Sequence, residues 1–197
     1  MGKTYEKIDD RLRAFIEAQP VFFVATAPLA ADGHVNVSPK GRSGTLAVLG
    51  ERTLAYLDFG GSGAETVAHV RENGRITLMW CAFEGPPKIL RVHGQGAAVF
   101  RDDPRFPALL ARFDPAVDGP SLRAIVLVEA ERVSDSCGFA VPLMDYREDR
   151  GLHAEYFGRK TEEEFSRYCE GKERVATSLD GLPAIPLPLP ARPGPLG

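Results

Sequence analysis

The sequence has few residues of the types that cross-link a fold or bind metals. Its 197 residues include three cysteines, four histidines and one tryptophan. The cysteines are widely spaced without a CxxC pair, and the histidines show neither HxH nor HExxH spacing. Neither a disulfide framework nor a zinc site is therefore indicated. This composition predicts a reduced, cytoplasmic protein.

Long apolar runs and a strong excess of either charge are also missing. No apolar stretch approaches the length that crosses a bilayer, and the opening MGKTYEKIDDRLRAF has no apolar signal-peptide core. The net charge is −3, so we expect neither a nucleic-acid partner nor a membrane partner. Any anionic ligand would have to be held by a local site. The GxSxG, P-loop and GxGxxG motifs are absent as well.

Short apolar segments separated by turn residues fill most of the chain up to residue 133. They cover 21–27, 34–38, 45–49, 53–57, 75–82, 88–100 and 123–133. Amphipathic or capped patterns predict helices over 8–18, 65–73 and 104–113. Many short strands with few helices are typical of a closed antiparallel barrel. The predicted fold class is therefore mainly β with peripheral α.

The character of the sequence changes after residue 133, which suggests a barrel domain over 1–133 and an extension over 134–197. The extension contains a charged helical stretch at 161–170 and a proline-rich tail, PLPLPARPGP, at 186–195. Such a tail favours extended backbone. We interpret it as an arm that packs on the barrel or on a partner subunit, with a disordered tail as the alternative.

Two segments have the chemistry to hold a ligand. In GGSGAET (60–66) the glycines precede a helix start, where free N–H groups and the Thr66 hydroxyl can bind an anion. Glu65 opposes this unless its side chain turns away to cap the helix. In NVSPKG (36–41), Pro39 is expected to stop strand pairing and to leave Lys40 at the rim. There the lysine can face a phosphate or an electron-rich ring, or simply lie solvated in a turn.

The order of these segments resembles the pyridoxamine 5′-phosphate oxidase-like family. SPKG, LAYLD, xTxxHxxENxRI and LRVxG occur in family order across residues 8–133. The resemblance implies an FMN-binding split β-barrel that works as a homodimer, with FMN in a cleft at the interface. It also implies an FMN-dependent oxidoreductase that acts on a small molecule.

Carried over by position, the resemblance implies contacts to each part of FMN. The ring would be lined by Val37, Ser38, Pro39 and Lys40, the ribityl chain by Tyr56, Leu57 and Asp58, and the phosphate by Ser62 and Thr66. Arg91 would either support the phosphate or pair with Asp58.

The sequence lacks several motifs of the vitamin B6 oxidases that belong to this family. Their strand arginine is replaced by Val35, and their Arg-Lys pair at the helix start is replaced by Glu65-Thr66. Neither their C-terminal tryptophan nor their C-terminal RxH motif occurs in residues 134–197. Vitamin B6 oxidase activity is therefore not expected. A non-catalytic flavin-binding or sensor module, or the same fold with a deazaflavin or haem, stays open as an alternative.

Burial gives a separate reason to expect a dimer. The segments 75–82 and 123–130 are apolar on both faces, so one face of each is left without a covering layer inside a simple barrel. An apolar patch of that size is uncommon on a soluble monomer. Either the C-terminal extension or a second copy of the chain must cover it, and the resemblance favours the second copy.

Overall fold

The computed structural model of the chain describes residues 2–61 and 63–192, which form one antiparallel sheet with helices around it. The strands are β1 (Thr4–Tyr5), β2 (Val21–Thr26), β3 (Asn36–Gly41), β4 (Leu46–Val48), β5 (Thr53–Phe59), β6 (Arg75–Cys81), β7 (Ile89–Phe100) and β8 (Leu122–Ser136). The helices are α1 (Asp10–Ala18), α2 (Glu65–Asn73), α3 (Phe106–Leu110), α4 (Leu152–Gly158), α5 (Glu162–Glu170) and α6 (Glu173–Ala176).

The sheet curls into a barrel that is split along one seam. Its strands follow the order β3-β2-β6-β7-β8-β5-β4, and β1 pairs with β8. The two edge strands, β3 and β4, are connected by residues 42–45 alone, so the two edges of the sheet meet at this loop. Beyond the loop, β3 faces the end of β5 and the start of α2 without pairing to them. The predicted fold class, a mainly β split barrel with peripheral helices, is confirmed.

Helix α1 closes one end of the barrel. Its Leu12 and Ile16 are buried together with Ile8 just before it, and they join the inward-facing side chains of the strands in one core. Burying each such aliphatic side chain stabilises the fold by about 1.5–3 kcal/mol. Asp9 caps the helix by accepting a hydrogen bond from the Leu12 N–H at 2.8 Å. The sequence pattern at 8–18 predicted this helix.

Two layers cover the outer face of the sheet from within the chain. Phe106, Phe113 and Val117 pack over β5 and the start of β8. The second layer comes from the C-terminal extension, whose Phe165 and Cys169 pack on the outer side of α2. Part of the apolar surface that suggested a dimer is therefore buried within a single chain. The dimer itself stays a prediction.

The described part of the proline-rich tail, residues 186–192, packs on the chain's own helix α5. The Leu189 N–H donates to Ser166 Oγ at 3.2 Å, and Arg192 pairs with Asp118 at 2.7 Å and with Glu162 at 2.8 Å. Strand β8 continues to Ser136, so the barrel runs slightly past residue 133. No helix in the ranges 2–61 and 63–192 combines the length and apolar character needed to cross a membrane.

The prediction that Pro39 stops the strand is wrong. β3 pairs with β2 as far as Gly41, with Pro39 opposite Phe23 and Lys40 opposite Phe22. A proline fits such a strand because β3 lies at the edge of the sheet, where a nitrogen without a hydrogen can face the unpaired side. Lys40 is consequently held within a strand and not in a turn.

Candidate functional site

Polar side chains of β3 face the seam. Asn36, Ser38 and Lys40 lie on the same side of the strand, because successive strand residues alternate between faces, whereas Val37 and Pro39 are exposed on the other side. Two contacts bridge the seam: Lys40 Nζ lies 3.9 Å from Asp58 Oδ1, and Asn36 Nδ2 donates to Thr66 Oγ1 at 3.0 Å. Polar side chains thus line the seam between an edge strand and a helix start, and this polar seam is called the cleft below.

Asp58 is held at the base of the cleft by Arg123. The Arg123 Nη2 atom lies 2.9 Å from Asp58 Oδ2, and both side chains are at most 3% exposed. Arg123 also donates to the Gly63 and Val175 carbonyls at 3.3 Å, which ties the glycine loop to the C-terminal extension. Two positive charges and one negative charge therefore meet here. This end of the cleft therefore has one net positive charge, carried by Lys40.

The pairing of Arg91 with Asp58, one of the two roles expected for Arg91, is wrong. Arg91 lies on β7 and donates to Ser136 Oγ at 2.8 Å, on strands that do not border the seam. Asp58 lies opposite Ala124 on β8, so the neighbouring Arg123 reaches it instead. The sequence signal for Arg123 is weak: it is one arginine near the start of a buried apolar strand.

The start of α2 is occupied by a carboxylate of the chain itself. Glu65 Oε2 accepts a hydrogen bond from the Ala64 N–H at 3.0 Å, and a Cβ on Gly63 would come within 2.6 Å of the same oxygen. The Glu65 side chain therefore turns back onto the helix start, where a bound anion would otherwise be favoured. Gly60 is required by packing, since a Cβ there would collide with the ring of Phe165.

Asn36 is the centre of a partly buried hydrogen-bond network. Its Nδ2 donates to Thr26 Oγ1 at 3.1 Å as well as to Thr66, and its Oδ1 accepts from Ser38 Oγ at 2.8 Å. Thr26 Oγ1 lies 2.9 Å from His69 Nδ1. Burial lowers the pKa of His69, so its imidazole is neutral at pH 7. The sequence motifs did not single out Asn36, although its strand was identified.

In addition to Val37 and Pro39 on the other side of β3, three more of the expected ligand-contacting residues lie away from the cleft or outside the described ranges. The Tyr56 side chain is 1% exposed in the barrel core, with its ring centroid 5.5 Å from that of Phe22. Burial raises the pKa of this tyrosine well above its ordinary value. Leu57 packs on the opposite side of β5, under Phe106 and its neighbours. The side chains of these two residues therefore do not face the cleft, and Ser62 lies outside the described residues.

A histidine–carboxylate pair connects the C-terminal extension to the β2–β3 hairpin, two residues before Asn36. The His34 N–H donates to Asp180 Oδ2 at 2.8 Å, and His34 Nδ1 lies 2.6 Å from Asp180 Oδ1. The carboxylate raises the pKa of His34 and the imidazole lowers the pKa of Asp180. In the ranges 2–61 and 63–192, no group of three or more His, Cys, Asp or Glu side chains is arranged to hold a metal ion.

A curled antiparallel sheet with one unpaired polar seam defines a split β-barrel protein. Residues 8–137 match the family model described as Pyridoxamine 5′-phosphate oxidase, and the chain belongs to this family. It is 36% identical over 193 residues to the pyridoxamine 5′-phosphate oxidase family protein ustO of Aspergillus flavus. That similarity covers 92% of this chain and 77% of the relative.

Solved structures match this chain at low sequence identity. HupZ of Group A Streptococcus is 21% identical, with a TM-score of 0.51 over 64% of this chain and 91% of that chain. An FMN-binding protein of Syntrophomonas wolfei subsp. wolfei is 16% identical, with a TM-score of 0.46 over 70% and 85% of the two chains. The FAD-binding protein of Mycobacterium smegmatis is 12% identical, with a TM-score of 0.45 over 67% and 97%.

Proposed function

We propose that this chain is an FMN-dependent oxidoreductase that acts on a small molecule and binds the flavin along the seam. The observation that carries the proposal is the polar row of β3, which faces Asp58 and Thr66 across an unpaired edge. An unpaired strand edge offers backbone N–H and C=O groups to a planar heterocycle. Membership of the pyridoxamine 5′-phosphate oxidase family supports the same cofactor.

The residues present fit the ring of a flavin better than its phosphate. Ser38 and Lys40 would lie beside the ring, and the backbone of Leu57 and Asp58 would flank the ribityl chain. Thr66, together with Ser62, would contact the phosphate. Bound there, the flavin would supply two-electron redox chemistry. Lys40 would stabilise negative charge on the ring, since Arg123 already neutralises Asp58.

Charge at the phosphate end is less favourable than at the ring end. Glu65 places its carboxylate at the helix start, and Val35 stands where the family's vitamin B6 oxidases carry an arginine. A phosphate dianion would approach Glu65 as a like charge, at a cost that falls with solvent screening. The ring and the ribityl chain would therefore contribute most of the affinity.

The homodimer belongs to the same proposal. The segment 139–146 carries Phe139, Leu143, Met144 and Tyr146 as exposed apolar side chains, with Phe139 85% exposed. Farther along, Asp149 accepts a hydrogen bond from the Ser43 N–H at 2.9 Å, which brings the chain next to the loop where the two sheet edges meet. A second copy seated on segment 139–146 would lie beside the cleft. Light scattering should give twice the 21.4 kDa chain mass, and a monomer mass with flavin bound would contradict this arrangement.

Two measurements test the enzymatic proposal. The absorption spectrum of the purified, concentrated protein should show flavin bands after FMN is added, whereas haem or deazaflavin bands would identify a different cofactor. Turnover should then follow as oxidation of a reduced nicotinamide by the loaded protein above the rate of free FMN. Flavin binding without turnover of any reductant would favour a non-catalytic binding or sensor module.

A further inference from the structure

Both the NH2 group and the carbonyl oxygen of the Asn36 side chain form hydrogen bonds within the cleft wall. Its two N–H groups donate to the hydroxyl oxygens of Thr26 and Thr66, and its carbonyl oxygen accepts from the Ser38 hydroxyl. The amide is only partly buried, so it lies at the boundary between the core and the cleft. Its three partners come from β2, β3 and α2, the elements that form this side of the seam.

These bonds determine what Thr66 and Ser38 can offer to a ligand. Because the Thr66 oxygen already accepts from Asn36, its hydroxyl proton points away from Asn36 and toward a second partner. Ser38 has given its proton to Asn36, so it presents only lone pairs. The wall therefore offers a donor at Thr66 and an acceptor at Ser38.

We propose that Asn36 is a positioning residue that fixes this donor and acceptor pattern for the flavin. The inference rests on the proposed function. A flavin complements the pattern, because its ring carries an imide N–H that can donate to Ser38 and its ribityl phosphate carries oxygens that can accept from Thr66. Asn36 itself need not touch the cofactor, since it acts through the two hydroxyl groups.

His69 secures the far end of the network. Its Nδ1 lies 2.9 Å from Thr26 Oγ1, and its ring is fully buried against β2. Thr26 is thereby held between His69 and Asn36, which keeps the Asn36 amide from rotating. The donor at Thr66 and the acceptor at Ser38 are thus held by residues of strands and a helix that contact the barrel core, and not by a mobile loop.

A double-mutant cycle tests the proposal with FMN as the probe. Asn36→Leu should weaken FMN binding about tenfold or more, a loss of about 1.4 kcal/mol for each factor of ten. In a Ser38→Ala/Thr66→Val background, the same change should alter affinity less than about twofold, because its two routes of action are already removed. Full, additive loss in that background would overturn the proposal, since Asn36 would then act by another path.

Asn36→Asp tests the orientation of the amide. A carboxylate cannot donate to Thr66, so FMN binding should fall as it does for Asn36→Leu; unchanged binding would mean that the amide is turned round and would overturn the pattern. Asn73→Asp is the matched control, an amide at the other end of α2 that donates to the Ala27 carbonyl at 2.9 Å. It should lower the melting temperature of the apo-protein without changing FMN affinity.

Two further points keep the outcomes distinct. If Asn36→Leu does not fold, as judged by circular dichroism of the apo-protein, Asn36→Ser serves in the same cycle. A wild-type protein that binds no flavin contradicts the proposed function itself. A wild-type protein that binds FMN while the cycle is additive contradicts only the positioning role of Asn36.

Discussion

Arg123 and Asp58 form a buried ion pair between β8 and β5, with Arg123 Nη2 2.9 Å from Asp58 Oδ2. The longer distance from Asp58 to Lys40, 3.9 Å, shows that the arginine is the main partner of this carboxylate. Lys40 is 28% exposed at the cleft, and its charge is left for a ligand. One pair thus stabilises the barrel and also sets the charge of the candidate site.

Removing the arginine should destabilise the fold strongly. Arg123→Met leaves Asp58 buried with only the more distant Lys40, and loss of one partner of a buried pair costs about 3–5 kcal/mol. The free energy of unfolding from urea titration is the measurement. Arg123→Met combined with Asp58→Leu should recover most of the loss, because no buried charge is then left unpaired. A loss below about 1 kcal/mol for the single variant would show that the pair is not a buried, coupled one.

Lys40→Ala should weaken flavin binding while leaving the fold nearly intact. A charged hydrogen bond to the ligand is worth about 1–3 kcal/mol, whereas the partly exposed contact with Asp58 contributes little to stability. FMN affinity and the melting temperature of the apo-protein are both measured. Lys7→Ala is the control, because Lys7 pairs with Glu51 at 2.6 Å on an exposed surface. Equal FMN affinity in wild type and Lys40→Ala would show that Lys40 does not contact the flavin.

Glu65→Gln should strengthen the binding of FMN but not of riboflavin. The substitution removes a negative charge at the helix start and so removes repulsion of the phosphate, by about 0.5–1 kcal/mol for such a partly exposed position. Titration of each variant with both flavins measures the difference. Glu164→Gln is the control, because Glu164 caps α5 by accepting from the Thr161 N–H at 2.8 Å. A gain of the same size for both flavins would mean that the phosphate does not lie near Glu65.

The His34–Asp180 pair predicts a specific pH dependence. Asp180 raises the pKa of His34. The stabilisation that comes from protonated His34 is therefore complete below pH 6.5 and is lost as pH rises through the raised pKa. At the acid end, the pKa of Asp180 is lowered, so its contribution is present above pH 3.8 and is lost as pH falls through the lowered pKa. The pair is therefore strongest between these limits.

Asp180→Asn should move the pKa of His34 back toward 6.5, as followed by NMR titration of its ring protons. Asp32→Asn should have a smaller effect, since Asp32 acts on His34 only through longer-range charge. An unchanged His34 titration in Asp180→Asn would show that the two side chains are not paired in solution.

Local patterns predicted α1, α2 and α5 because their signals are short-range, whereas α4 and α6 were not predicted. Helix α2 runs from Glu65 to Asn73 as predicted, and Gly74 follows it at φ 73°, a conformation that favours glycine. The pattern at 104–113 gives only a short helix, Phe106–Leu110, because the rest of that segment forms turns over the barrel. Capping residues and periodicity lie within a few positions of each other, so one sequence is enough to read them.

The partner of Asp58 could not be predicted in the same way. Arg91 and Arg123 both lie on apolar strands, and only the strand register decides which of them reaches Asp58, which lies opposite Ala124. The orientation of the Tyr56 side chain could not be predicted for a related reason. Because β5 is buried on both faces, the alternation of polar and apolar residues does not indicate which side faces the core.

The central claim, a flavin in the seam between β3 and α2, is tested most directly by equilibrium titration of the apo-protein with FMN. Quenching of flavin fluorescence should saturate at one FMN per chain in the wild type. Saturation should shift to higher FMN concentration in Lys40→Ala and in Thr66→Val, and should be unchanged in Lys7→Ala. Absence of saturation at high micromolar FMN, or one affinity shared by all four proteins, would contradict the claim.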